Sequence, residues 1–143
     1  MLISKYTPAR LNHDIFVCMI DKKVLIVEDE VDIREAMEDA LIDSGMHVIT
    51  AENGEVGLQK AKAEQPDLIL LDIVMPIMDG HEMLKKLRED AWGKGVKVIA
   101  LTSMDDVENI WNAHDAGIDD YIIKANASLE DIVNKVRLVV FSS

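Results

Sequence analysis

Leu68-Ile69-Leu70-Leu71-Asp72-Ile73-Val74-Met75-Pro76-Ile77-Met78-Asp79-Gly80 is the stretch that decides the fold. Its first four residues are apolar without a polar break, the pattern of a strand covered on both faces. The run stops at an acid, Asp72. Pro76 and Gly80 then mark a loop. Met83, Leu84 and Leu87 follow at helical spacing, so the spacing predicts a helix after the loop.

The same unit recurs on either side. Upstream, Val24-Leu25-Ile26-Val27 is a β-branched run ending in Glu28-Asp29-Glu30. Ile33, Ala36, Met37, Ala40 and Leu41 then predict a helix that Gly45 ends. His47 to Ala51 reads as a second strand, Asn53-Gly54 as a turn, and Val56 to Ala63 as a helix stopped by Pro66. Downstream, Val96 to Leu101 is a fourth strand ending at Thr102. A helix is predicted through Val107, Ile110, Trp111 and His114, closed by Gly117. Tyr121-Ile122-Ile123 is a fifth strand ending at Lys124. Ser128 and Asp131 make an N-terminal cap pair for a last helix carrying Leu129, Ile132, Val133, Val136 and Val140. Five strand–helix repeats imply an α/β fold, a parallel sheet with helices on both faces. Sites in such sheets lie beyond the carboxyl ends of the strands.

The residues ending the strands are chemically pointed. Glu28 and Asp29 end the first, Asp72 the third, Thr102 the fourth and Lys124 the fifth. If the first strand lies beside the third, three carboxylates converge. Like charges that close raise one another's pKa or require a cation, and hard oxygen ligands suit Mg²⁺. A hydroxyl and an ammonium beside that metal could bind phosphoryl oxygens. The set looks like a phosphoryl-transfer site with one carboxylate as nucleophile. Taken singly, each residue has an ordinary reading. Asp29 would be a cap or turn acid, Thr102 a helix cap, Lys124 a surface lysine and Tyr121 a core or rim aromatic. Their arrival together at the ends of successive strands carries the functional reading.

Composition bounds the rest. The 143 residues give room for one domain, with 49% apolar and 29% charged residues suited to a soluble core. A net charge of −12 argues against unassisted nucleic-acid binding and against anionic membrane surfaces. No apolar run is long enough to span a bilayer. The lone Cys18 permits no intrachain disulfide and fits a cytoplasmic location. With His13, His47, His81 and His114 it shows no zinc spacing. Residues 1–20 are read as an extension outside the fold, with Met19 just before the first strand as an alternative start, and 21–143 as the domain.

Residues 22–141 resemble the receiver domains of two-component response regulators, the CheY-like family. The resemblance rests on four segments in order. They are Val24 to Glu30, Leu70 to Gly80, Ala100-Leu101-Thr102-Ser103, and Gly117-Ile118-Asp119-Asp120-Tyr121-Ile122-Ile123-Lys124. It implies a flavodoxin-like (βα)5 doubly wound sheet in strand order 2-1-3-4-5. It implies that Asp72 accepts a phosphoryl group from a phosphohistidine on a sensor histidine kinase or phosphotransfer protein. Mg²⁺ would be held by Asp29, Asp72, the Val74 backbone carbonyl and, through water, Glu28. Thr102 would bind the transferred group, Lys124 would pair with Asp72 and then with the phosphate, and Tyr121 would be the aromatic switch. The output would be the surface formed by the fourth helix, fifth strand and fifth helix, with a homodimer as one use of it. Ala125 departs from the family, which usually has proline after the lysine. The Lys124–Ala125 bond is expected trans, because a cis bond before a non-proline residue costs roughly 2.5–4 kcal/mol. Val74 and Met104 flank the site and cannot orient a water, so a long-lived phosphorylated form is expected.

Other functions fit less well. A binding module that has lost phosphorylation would lack part of the acidic pair, Asp72, Thr102 or Lys124, and all are present. An aspartate-dependent phosphatase needs a second aspartate where Val74 stands. A flavin carrier needs a Ser/Thr/Gly phosphate loop where Glu28-Asp29-Glu30 stands. No DNA-binding or catalytic effector fits before Ser143, so the expectation is output through protein contacts, or a receiver cut from a longer regulator.

Overall fold

The computed structural model describes residues 22–103 and 117–142. The expected N-terminal extension, Met104 and the helix predicted over Val107–His114 lie outside the described residues. Five strands form one sheet, β1 (Lys23–Val27), β2 (His47–Ala51), β3 (Leu68–Asp72), β4 (Lys97–Thr102) and β5 (Asp120–Ile123). Four described helices connect and cover them, α1 (Val31–Asp43), α2 (Gly54–Glu64), α3 (Gly80–Glu89) and α4 (Leu129–Val140). All pairings are parallel, in the order β2-β1-β3-β4-β5. That is the doubly wound order expected.

The apolar runs explain themselves once the period of two is applied. Leu25, Val27, Ile69, Leu71, Val98 and Ala100 face one way and pack with Ala61 of α2 and Met83, Leu84 and Leu87 of α3. Val24, Ile26, Leu68, Leu70, Ile99, Leu101 and Ile122 face the other way, against Met37 and Leu41 of α1 and Ile132 and Val136 of α4. Both faces are buried, so neither set could be polar. Each fully buried Leu or Ile contributes about 1.5–3 kcal/mol, which fixes the register and with it the residues at the strand ends.

Helix termini follow the local chemistry. Asn53 and Asp79 accept from the backbone N–H groups of Val56 and Glu82, both at 2.9 Å, to cap α2 and α3. Ser128 and Asp131 close a reciprocal capping box at 3.0 Å each way, as the sequence implied. Glu30, the N-cap of α1, makes no side-chain cap. Its carboxylate is engaged elsewhere. Gly45 takes φ +98 beyond α1, a conformation glycine adopts without steric cost. Among the described residues no helix is long and apolar enough to cross a membrane.

Candidate functional site

β1 and β3 lie side by side with Val27 opposite Leu71, so the residues after them come together at the carboxyl edge. Glu28, Asp29 and Asp72 each offer a carboxylate oxygen, and these oxygens lie within 4.8 Å of one another. Glu28 and Asp72 are buried. The loop that carries the first two is pinned from beneath. The Arg34 guanidinium donates to the Glu28 carbonyl at 2.8 Å and to the Asp29 carbonyl at 3.4 Å. Arg34 thus holds the acidic backbone without neutralising its side chains. Sequence reasoning missed it, since an arginine one turn into a helix carries no sign of what it will touch.

β5 brings Lys124 over the cluster. Its ammonium lies 2.8 Å from Glu28 Oε1, 3.5 Å from Asp72 Oδ2 and 3.7 Å from Glu30 Oε1. Glu30, the uncapped N-cap residue, is a second contact the sequence did not single out. One ammonium therefore serves several acids. The Glu28 contact is the shortest of the three, so the buried Glu28 Oε1 is paired with the Lys124 ammonium. Burial, reinforced by Glu28 and Asp29, pushes the Asp72 carboxyl up to about 8, with Lys124 pulling the other way. Burial also works against the charge on Lys124, but Glu28, Asp72 and Glu30 outweigh it and hold its pKa above the ordinary value. The site holds more negative charge than its own cation offsets. An all-oxygen donor set of three converging carboxylates, two of them buried, fits a hard divalent cation.

The loop after Asp72 is folded back on the site. The Val74 N–H donates to Asp72 Oδ1 at 3.2 Å, fixing the carboxylate. The Gly80 N–H donates to the Ile73 carbonyl at 2.9 Å, and α3 starts so close that a Cβ at Gly80 would lie 2.5 Å from the Asp72 carbonyl oxygen. Only glycine permits that approach. At the tip, Met78 N–H donates to the Pro76 carbonyl at 2.8 Å, a three-residue γ-turn with Ile77 at its centre. Ile77 has φ +70, the rare and strained hand of that turn. Such strain costs on the order of 1–3 kcal/mol.

The remaining expected residues sit where the strand ends put them. Thr102 is buried at the end of β4, and its hydroxyl donates to the Ser103 carbonyl at 3.1 Å. Lys124 N–H pairs with the Thr102 carbonyl at 2.8 Å, so the two strands deliver hydroxyl and ammonium in register. Tyr121 is exposed on β5, 44% accessible. Every peptide bond among the described residues is trans, Lys124–Ala125 included.

A sheet in this order, with three acids, a lysine and a threonine at its carboxyl edge, matches one family of signalling modules. The family model described as the response regulator receiver domain matches residues 24–137, and the chain belongs to that family. It is 35% identical over 128 residues to the probable transcriptional regulator ycf27 of Guillardia theta, covering 85% of this chain and 49% of that protein. It is 35% identical over 130 residues to the alkaline phosphatase synthesis transcriptional regulatory protein PhoP of Bacillus subtilis, covering 87% and 53%. The chain spans about half the length of these curated relatives. Among solved structures, the chemotaxis response regulator CheY4 of Vibrio cholerae superposes with a TM-score of 0.77 at 30% identity, covering 82% of this chain and 98% of that one. A CheY-like receiver domain protein of Methanospirillum hungatei gives 0.76 at 32%, covering 83% and 93%.

Proposed function

We propose that this receiver takes a phosphoryl group on Asp72 from a phosphohistidine of a sensor histidine kinase or phosphotransfer protein. The observation that carries the reading is the buried Asp72 carboxylate, with Glu28 and Asp29 within 4.8 Å and Lys124 at 3.5 Å. An Asp72 carboxylate oxygen attacks phosphorus, the P–N bond breaks, and the electron pair leaves with the imidazole. The product is an acyl phosphate. Asp72 must be ionised to attack, yet its burial favours the proton. Glu28, Asp29, Asp72 and the Val74 carbonyl would hold Mg²⁺, which when bound neutralises charge on the carboxylates and on the phosphoryl oxygens.

The chain's own groups do the rest. Val74 N–H orients the attacking carboxylate. Lys124 balances Asp72 before transfer and a phosphoryl oxygen after it. The Thr102 hydroxyl, now on the Ser103 carbonyl, turns to donate to the new oxygen. That turn vacates space behind β4, which Tyr121 fills by swinging inward from its exposed position. The surface of β5, α4 and the helix predicted over Val107–His114 changes shape for a protein partner or a second copy. The Val74 side chain orients no water, so the acyl phosphate persists, and Val74→Asn speeds its loss. The module works in the cytoplasm, where such kinases present their phosphohistidine.

A second reading concerns output. Relatives named as transcriptional regulators are about twice as long as the matched region. That supports a receiver serving as one part of a longer regulator, with nucleic-acid contact made by another part. The test of the input is phosphorus NMR of the chain with phosphoramidate and Mg²⁺. An acyl-phosphate signal that disappears at alkaline pH is expected, and a signal retained in Asp72→Asn would refute the assignment. In the same sample, amide shifts should change most around Thr102, Tyr121 and the helix predicted over Val107–His114. Changes confined to α1 and α2 would place the output surface elsewhere.

A further inference from the structure

Arg34 spends its charge in an unusual place. The chain carries 27 acidic residues, yet Arg34 makes no ion pair among the described residues. Instead one nitrogen, Nη1, donates to two successive carbonyls, that of Glu28 at 2.8 Å and that of Asp29 at 3.4 Å. The first belongs to the Glu28–Asp29 peptide and the second to the Asp29–Glu30 peptide, and the Asp29 Cα joins the two. Each peptide is planar, so holding both planes sets φ and ψ of Asp29 and the direction in which its Cβ leaves the chain. The helix supplies the reach, because Arg34 N–H donates to the Glu30 carbonyl at 2.9 Å in the first turn of α1. Little else holds this loop. Asn53 and Asp79 fix the loops before α2 and α3 by capping, whereas Glu30 caps nothing with its side chain. Among the described residues the Asp29 backbone has no hydrogen bond except the one from Arg34.

Asp29 is the half-buried member of the three-carboxylate cluster, between the buried Glu28 and Asp72. Mg²⁺ demands near-octahedral geometry and short bonds, while Ca²⁺ accepts a looser and more varied shell. The direction of one carboxylate therefore matters more to the smaller ion. We infer that Arg34 is a positioning residue, which sets the Asp29 carboxylate through its backbone, strengthens Mg²⁺ binding and favours Mg²⁺ over Ca²⁺. This rests on the reading of the cluster as a Mg²⁺ site. The sign of the effect separates positioning from charge. As a nearby charge Arg34 repels a divalent cation, so its removal would tighten binding. As a positioning group its loss weakens binding, as the loss of groups that orient metal ligands does.

The test is calorimetric titration of the metal-free full chain with Mg²⁺ and, separately, with Ca²⁺. Arg34→Met should raise the Mg²⁺ dissociation constant roughly tenfold and the Ca²⁺ constant by less, so the preference for Mg²⁺ falls. Arg34→Lys, which keeps the charge without the rigid guanidinium, should weaken Mg²⁺ binding by a smaller factor. Unchanged or tighter Mg²⁺ binding in Arg34→Met would overturn the inference. So would equal weakening of both ions, because a loss of folded protein acts on both alike. Melting curves without metal report whether each variant folds, and if Arg34→Met does not, the comparison of the two ions on Arg34→Lys decides. If the wild type binds Mg²⁺ and both variants match it, positioning by Arg34 fails and the cation site stands. If the wild type binds neither ion, both fall.

Discussion

At the amino-terminal edge of the sheet the Lys97 ammonium meets the carbonyls of Val139 and Val140 at 2.9 and 3.2 Å and also that of Ser142. Nearby, the Arg88 guanidinium donates to the carbonyls of Gly93, Val96 and Gly117, each at 2.7 Å. Both cations sit on the partial negative charge of carbonyl groups and tie chain segments together. At the carboxyl edge the balance is reversed. Glu28 and Asp72 are buried, and the one Lys124 ammonium is shared between them and Glu30. One end of the sheet uses charge to hold the fold. The other crowds acids around one shared lysine, a repulsion that the proposed Mg²⁺ would offset.

Opposite signs on mutation follow from that difference. Arg88→Met should destabilise by about 2–3 kcal/mol, because several carbonyls lose a charged donor at once. Urea unfolding measures it, and a loss under a few tenths would remove the contrast. Asp72→Asn should instead stabilise the metal-free chain, by about 1–2 kcal/mol, because it relieves repulsion at a functional site. The pH dependence carries the same sign. Asp72 is raised to about 8 in the folded chain from its ordinary value near 4. The folded state therefore binds the extra proton between those values, and metal-free stability falls as pH rises from about 4 to about 8. Asp72→Asn should lack this slope.

Mg²⁺ sharpens the comparison next. At ten times its dissociation constant it should add about 1.4 kcal/mol to the wild-type chain. It should bind more tightly as pH rises toward 8, since it competes with the proton on Asp72. Calorimetric titration at several pH values checks this, and Asp72→Asn should gain less. The smallest effect lies away from both edges. Ser128→Ala removes a cap worth about 1 kcal/mol and should leave phosphorylation by acetyl phosphate unchanged.

Much of this was legible in the sequence. Hydrophobic patterning located every strand to within one residue; the runs of β1 and β3 are unbroken because central strands are covered on both faces, whereas the edge strand β2 keeps His47 and Thr50. Glu28, Asp29, Asp72, Thr102 and Lys124 were legible because each directly follows or ends such a run. What escaped depends on the third dimension alone. Arg34 looks like any helix-surface arginine until its guanidinium reaches the Glu28 carbonyl. Pro76 and Gly80 announce a turn but not its hand, so the strain at Ile77 was invisible. Glu30 read as one more acid of a loop, and its forgone cap shows only once Lys124 is in place. The expected apolar stripe through Val107, Ile110, Trp111 and His114 lies outside the described residues.

The central claim is that Asp72 is the phosphoacceptor of a cation-dependent site. Intact-mass spectrometry after incubation with acetyl phosphate tests it most directly, run on wild type and Asp72→Asn, with Mg²⁺ and with a chelator. The account predicts one added phosphoryl group on the wild-type chain in Mg²⁺, little with the chelator, and none on Asp72→Asn. Equal labelling of Asp72→Asn, or labelling of the wild type that ignores the chelator, would contradict it.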